Sequence, residues 1–198
     1  MNQACSAVVN VYAKSRVRVD LRVDSALAAR QVPQDPDGNL YQGVRDFNTA
    51  ITPNLVWHGS SPEGYTNAYF KQNHSLANDW SDLIHLIDVL NNTAAGDYAA
   101  AVRATIDVPE WMRYFAIHTF LDNQETSLGT GIGDDYILYF PAVDRRAQVW
   151  SYDMDSLLGS GTTSVASTSG LFRAANLPVV SRFLKHPEFA PEYHRQLR

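Results

Sequence analysis

Residues 16–24 alternate strictly between apolar and polar positions, and helical spacing appears later in the chain. In residues 16–24, Val17, Val19, Leu21 and Val23 share one face and charged residues the other, which predicts a half-buried antiparallel strand. Residues 7–12 and 39–44 are also predicted strands, and a turn is predicted at 34–38. Residues 25–30 are too short a segment to predict a helix. The beginning of the chain is therefore predicted to be a short β region.

Apolar residues three and four positions apart predict helices further along. A capping signal supports one of them, because Asp107 precedes Pro109 and Glu110, the arrangement expected of an N-cap and a first helical turn. The predicted helices cover residues 79–92, 97–105, 107–122, 177–185 and 188–197. Residues 45–77 show no sustained period, and we predict a long ordered loop because its aromatic residues need burial: Trp57, Tyr65, Tyr69 and Phe70.

Two apolar runs, residues 136–140 and 147–152, predict a β-hairpin with a turn at 141–146. A glycine-rich loop over 123–135 precedes the hairpin. Residues 159–170, rich in Gly, Ser and Thr, follow it and predict a mobile loop. The hairpin is therefore flanked by loops on both sides.

Carboxylates surround the open end of this hairpin. Asp153 and Asp155 follow its second strand, and in an extended segment residues two apart point to the same side. Asp134 and Asp135 lead into its first strand, so all four are predicted to meet. Their mutual repulsion would need a cation, and Mg²⁺ held by one or two carboxylates and phosphate oxygens fits. The alternative is that they are solvated loop charges and that Asp155 caps a short turn.

Composition restricts the classes of function. The 198 residues carry a net charge of -5, which argues against nucleic acid or an anionic membrane as the main partner. A single cysteine excludes an internal disulfide and a zinc site built on several thiolates. No apolar run reaches membrane-spanning length, and the first residues do not form a signal peptide. The chain as written is expected to be soluble and untargeted.

The glycines, histidines and serines of the sequence do not form any other known catalytic or binding motif. The glycines at 129, 131 and 133 match neither a Walker A loop nor a dinucleotide fingerprint, and a flexible loop is the preferred interpretation. The six histidines show no metal-ligand spacing, and His118, on the apolar face of its helix, is predicted to be a hydrogen-bonded core residue. The serines of 160–169 lack the context of a nucleophile elbow.

An ordered series of segments resembles the CotH kinase-like family, the spore-coat protein H type of atypical kinase. The resemblance covers about residues 36–198. The segments that carry it are DGNLYQG at 37–43, NDWSDLI at 78–84, YFAIHTFLDN at 114–123, DDYILY at 134–139, WSYDMD at 150–155 and FLKHPEFAPEY at 183–193.

The resemblance implies an α+β fold: a kinase-like helical C-lobe over 36–198 that carries a metal-site β-hairpin, after a short, incomplete N-terminal β region over 1–35. It implies transfer of the γ-phosphoryl group of ATP to a protein hydroxyl, with Mg²⁺ or Mn²⁺. Asp153, together with Asp155 or Asp135, would hold the metal and ATP.

The same resemblance places Glu125, with Asn123 beside it, in the catalytic loop, where Glu125 would orient the hydroxyl. Two positions depart from the family pattern. Many members have Asn-x-Asp where this chain has Asn123-Gln-Glu125, and Asn where it has Asp135. A Glu is one methylene longer than Asp, and a misplacement of about 1 Å can cost on the order of 10²-fold in rate.

Phosphoryl transfer also needs a cation on the phosphates, usually a lysine fixed by a glutamate. The family supplies it from an N-lobe, whereas residues 1–35 contain one lysine, Lys14, and no matching strand. The N-lobe is therefore interpreted as missing or replaced, and two outcomes stay open: an active kinase, or a chain that binds metal without catalysing transfer.

Two alternatives stay open. The first is a non-catalytic surface- or coat-associated binding module that retains a divalent cation, and the second is an Asp-x-Asp metal-dependent glycosyltransferase. The expected partner is a protein substrate or a coat or surface protein, not nucleic acid or a membrane. The resemblance implies a cell-surface or secreted location. The sequence gives no prediction of the substrate or oligomeric state.

Overall fold

The computed structural model describes residues 22–45, 51–123, 128, 134–154, 157–158, 170, 172 and 177–198. Within these ranges six helices and four strands follow the chain. In order they are α1 (Ser25–Gln31), β1 (Asn39–Gly43), β2 (Tyr69–Lys71), α2 (Ser81–Asn92), α3 (Tyr98–Thr105), α4 (Val108–Phe120), β3 (Tyr136–Phe140), β4 (Gln148–Ser151), α5 (Pro178–Leu184) and α6 (Ala190–Gln196). Two short 3₁₀ helices lie at Pro62–Gly64 and Ser75–Ala77. The α+β fold class predicted from the sequence is confirmed.

The four strands form one antiparallel sheet in the order β2-β1-β3-β4. Strand β1 pairs with β2 so that Tyr41 faces Lys71, and it pairs with β3 so that Tyr41 also faces Leu138. Strands β3 and β4 form the predicted hairpin, in which Leu138 faces Val149. The sheet therefore has β3 in an inner position and β4 at one edge.

All five residues of β3 are buried, because both faces of the sheet are covered. Tyr136, Leu138 and Phe140 belong to the main core, which contains the buried residues of helices α2 to α6. Ile137 and Tyr139 alternate with them and pack in a second cluster on the other face. Burial of alternate side chains on opposite faces explains why this strand is a continuous apolar run in the sequence.

The second cluster is built by residues near the start of the described chain. Val23, Leu27, Ala28 and Val32 pack against Leu40, Ile137 and Tyr139. These residues belong to α1 and its flanks, so α1 covers the second face of the sheet. The boundary at residue 35 between an N-terminal β region and a C-lobe stays a prediction. The second apolar cluster contains residues from before and after this boundary.

Three segments differ from the sequence-based prediction. Helix α1 forms where residues 25–30 are too short a segment to predict a helix. Residues 22–24 are not a strand, because Asp24 is instead the N-cap of α1 and accepts the backbone amides of Ala26 and Leu27. Residues 7–21 of the predicted β region lie outside the described residues. The prediction of a long ordered loop over 45–77 is wrong at β2, whose three residues are too few to show a period. Phe70 in β2 is 51% exposed rather than buried.

The five predicted helices, which correspond to α2 to α6, are confirmed within two residues at both ends. Asp107 caps α4 as predicted and accepts the amide of Glu110 at 3.3 Å. In the part of the chain that is described, no helix has the length and apolar character needed to cross a membrane.

The start of α4 is attached to the edge strand of the sheet. The backbone of Ala147, just before β4, donates to the carbonyl of Thr105 at 2.8 Å and accepts the amide of Asp107 at 3.1 Å. It also accepts the indole N–H of Trp111 at 2.8 Å. The N-terminal end of α4 therefore lies at the turn end of the hairpin, and α4 runs along the sheet towards the hairpin's open end.

Candidate metal and catalytic-loop site

The hairpin brings the predicted acidic segments to one end of the sheet. Tyr136, the first residue of β3, faces Ser151, the last residue of β4. Beyond this pair the amide of Tyr152 donates to the carbonyl of Asp135 at 3.3 Å. Residues that precede β3 therefore lie next to those that follow β4, as the antiparallel arrangement predicts.

Three aspartates around this end have left-handed backbone conformations. Their φ angles are 49° at Asp122, 48° at Asp135 and 44° at Asp153. Positive φ is unfavourable for residues with a side chain, Asp and Asn tolerate it best, and such strain concentrates at functional sites. Asp153 is therefore not in the extended conformation that the strand alternation assumes. Asp155, its expected same-side partner, lies outside the described residues.

The individual carboxylates have different surroundings. Asp153 is exposed and Asp135 is half-buried. Asp134 accepts the backbone amide of Arg45 at 3.1 Å, which connects the start of β3 to the segment after β1. Asp155 and Glu125 lie outside the described residues. Among the residues that are described, no group of three or more His, Cys, Asp or Glu side chains could hold a metal ion.

Asn123 lies at the end of α4, where the predicted catalytic loop begins. It is 3% exposed. Its backbone amide donates to the carbonyl of His118 at 3.0 Å, and its side-chain Nδ2 lies 2.9 Å from His118 Nδ1. Asn123 is therefore fixed to the last turns of α4 by both its backbone and its side chain.

His118 links this helix end to the hairpin. Its Nε2 lies 2.8 Å from Ser151 Oγ, and the ring is 4.1 Å from that of Tyr114. Burial lowers the pKa of His118 to about 3, so the ring is neutral around pH 7. The prediction of a hydrogen-bonded core histidine is confirmed. Ser151, which the sequence did not indicate, is its partner, and the only signal was its position two residues before Asp153.

A second link to α4 follows Asp153. The amide of Leu158 donates to the carbonyl of Leu121 at 2.8 Å. Asp153 therefore lies between Ser151 and Leu158, and each of these residues is hydrogen-bonded to the C-terminal part of α4. The exposed carboxylate stands in a segment that is attached to the helix on both sides.

These contacts determine which chemistry the site could support. Carboxylate oxygens are hard ligands, and Mg²⁺ is commonly held by one or two of them together with water and phosphate oxygens. Asp153 and Asp135 would supply such ligands from the two sides of the hairpin end. Asp134 lies next to Asp135 and accepts the backbone amide of Arg45.

Comparison with known proteins finds a family match that covers most of the chain. No curated protein matches the sequence. A family described as CotH kinase protein matches residues 21–198. This match begins before the segment 36–198 on which the resemblance was based, and includes α1. The chain belongs to the CotH kinase protein family.

Proposed function

We propose that the chain is a kinase-like domain that binds ATP with Mg²⁺ or Mn²⁺ and transfers its γ-phosphoryl group to a protein hydroxyl. The observation that carries this proposal is the attachment of the Asp153 segment to the C-terminal part of α4 on both sides, through Ser151 and Leu158. It supports the proposal because it connects the segment of an exposed carboxylate, a type of ligand that Mg²⁺ accepts, to the helix end that precedes the predicted catalytic loop. Membership of the CotH kinase protein family supports the same assignment.

Asp153 and Asp135 would hold the divalent ion, and Asp155 is a further ligand in this proposal. The ion, when bound, supplies the positive charge that phosphate oxygens need during transfer. The exposure of Asp153 suits a residue that must share an ion with a bound nucleotide. The left-handed backbone at both positions is consistent with a strained functional turn.

Asn123 would fix the start of the catalytic loop, and Glu125 would orient the acceptor hydroxyl two residues later. Asn123 is buried and hydrogen-bonded to His118, so its role in the proposal is to hold the loop. Glu125 would act directly on the hydroxyl. A protein substrate, or a coat or surface protein, is the proposed partner, and the proposed location is the cell surface or the outside of the cell.

Calorimetric titration with ATP in the presence of Mg²⁺ or Mn²⁺ tests the proposal on the 198-residue chain. We expect Asp153→Asn to weaken binding by at least about tenfold, because one charged metal ligand is lost. Asp144→Asn is the matched control, since Asp144 is an exposed carboxylate at the turn end of the same hairpin. Its binding should equal that of the wild type.

The same titration separates the alternatives. Absence of ATP binding in the wild type would overturn the proposal. Binding of ATP without phosphate transfer to any acceptor protein would identify a binding module that retains the divalent ion. Binding of a nucleotide sugar, and not of ATP, would point to the glycosyltransferase chemistry that the Asp-x-Asp segment also allows.

A further inference from the structure

A chain of side-chain hydrogen bonds crosses from α4 to β4 at the candidate site. His118 contacts Asn123 through Nδ1 at 2.9 Å and Ser151 through Nε2 at 2.8 Å. His118 and Asn123 are 4% and 3% exposed, so solvent does not compete for either hydrogen bond.

The donors and acceptors determine the tautomer of the ring. The side-chain amide Nδ2 of Asn123 can only donate, so His118 Nδ1 is the acceptor. A neutral imidazole then carries its proton on Nε2 and donates it to Ser151 Oγ. Ser151 retains its own hydroxyl proton for a further acceptor.

A serine, a histidine and an asparagine in this order could suggest nucleophilic catalysis. In that chemistry the histidine takes the proton of the serine, which requires a lone pair on Nε2. Here Nε2 carries the proton, and the ring is buried. The arrangement therefore suits support of neighbouring groups and not hydrolysis.

We propose that His118 is a positioning residue, which holds the start of the catalytic loop at Asn123 and the end of β4 at Ser151 in a fixed relation. Asp153 follows Ser151 by two residues, so the fixed distance between Ser151 and Asn123 also determines the position of the Asp153 carboxylate relative to the start of the loop. The consequence for ion binding depends on the function proposed above, whereas the coupling between Asn123 and Ser151 does not.

A triple-mutant cycle measures the coupling. Asn123→Ala and Ser151→Ala are combined in the wild type and in a His118→Phe background, and the unfolding constant of each is measured in urea. Coupled residues show non-additive effects, whereas independent ones add. We expect the unfolding constant of the double variant to differ at least about threefold from the value that the two single effects would give if they multiplied. In the His118→Phe background, the effects of Asn123→Ala and Ser151→Ala on the unfolding constant should multiply.

Ion binding gives a readout that a purely structural role would not change. His118→Phe should weaken Mn²⁺ binding at least about threefold, and His118→Gln, which keeps a donor towards Ser151, should restore part of it. Thr119→Val is the control, because it removes a 2.9 Å hydrogen bond from the same helix to Tyr193. Its Mn²⁺ affinity should be that of the wild type.

Two results would overturn the proposal. One is multiplicative effects of Asn123→Ala and Ser151→Ala in the wild type. The other is a ring nitrogen NMR spectrum with the proton on Nδ1. If His118→Phe does not fold, the double-mutant cycle of Asn123→Ala and Ser151→Ala in the wild type and the tautomer of the ring still decide. If Asp153→Asn leaves Mn²⁺ binding unchanged, the proposed function fails, while the unfolding cycle still tests His118.

Discussion

The side-chain carboxylate of Glu110, in the first turn of α4, accepts the backbone amide of Val149 in β4 at 3.0 Å. Glu110 stands three residues after the N-cap Asp107, where a capping box would return its side chain to the Asp107 amide. That amide is instead bonded to the carbonyl of Ala147. Glu110 therefore connects the helix to the sheet.

Glu110→Gln should remove a pH dependence of stability. The residue as a whole is partly exposed, but burial of its carboxyl group raises the pKa of Glu110 from 4.5 to about 8. The folded state therefore binds more protons than the unfolded state between these values, and stability is lost as pH rises through 8. Between pH 7 and 9 the wild type should lose about 1 kcal/mol relative to the variant.

Urea unfolding at both pH values measures this difference. Glutamine can still accept the amide of Val149, so packing is retained. Glu188→Gln is the control, because this carboxylate is exposed and paired with Arg103, and its unfolding should follow the wild type. Parallel pH curves for wild type and Glu110→Gln would contradict the prediction.

Asp35→Ala should destabilise the turn of the hairpin. The buried Asp35 carboxylate accepts three backbone amides, those of Ala142, Val143 and Asp144, at 2.9–3.1 Å. Its removal leaves these donors without their acceptor, which should cost about 2–4 kcal/mol in unfolding free energy. Asp37→Ala changes an exposed neighbour and should have little effect. Equal costs for both variants in chemical denaturation would argue against this role.

Arg182→Met should weaken the attachment of α5 to α2. The guanidinium donates to the carbonyls of Leu90, Asn91 and Thr93 at the C-terminal end of α2, and it lies 3.8 Å from the centre of the Tyr98 ring. We expect a loss of about 2–3 kcal/mol, and a smaller loss for Arg182→Lys, which keeps only the charge.

Chemical denaturation checks this order of stabilities. Arg195→Met is the matched control, because Arg195 is exposed and pairs with Glu192 within its own helix. A cost for Arg182→Met no greater than that of the control would show that these carbonyl contacts do not contribute to stability.

Gly38→Ala should be destabilising because no space exists for a Cβ atom. A Cβ at Gly38 would lie 2.1 Å from the backbone oxygen of Phe140, so backbone must move. We expect a cost of about 2–4 kcal/mol, within the range of overpacking and strain. Gly96→Ala is the control, since a Cβ there meets no atom within 4 Å. A melting temperature of Gly38→Ala equal to the control's would contradict the prediction.

Local signals in the sequence determined most of the helices and the hairpin. Asp107, Pro109 and Glu110 mark the start of α4, and the two apolar runs predict β3 and β4 with their open ends adjacent. These elements are set by residues within a few positions of each other, so capping and periodicity are sufficient. The motif order also indicated the family to which the chain belongs.

The tertiary structure alone decided the features that join distant parts of the chain. Strand β2 is defined by pairing with β1, about 30 positions earlier, and no local period marks it. The carboxylate of Glu110 and the imidazole of His118 find their partners on β4, more than 30 residues away. Asp153 likewise has a left-handed backbone conformation, whereas the sequence suggested an extended one. Contacts between residues so far apart depend on how the packed elements meet, which local patterns do not specify.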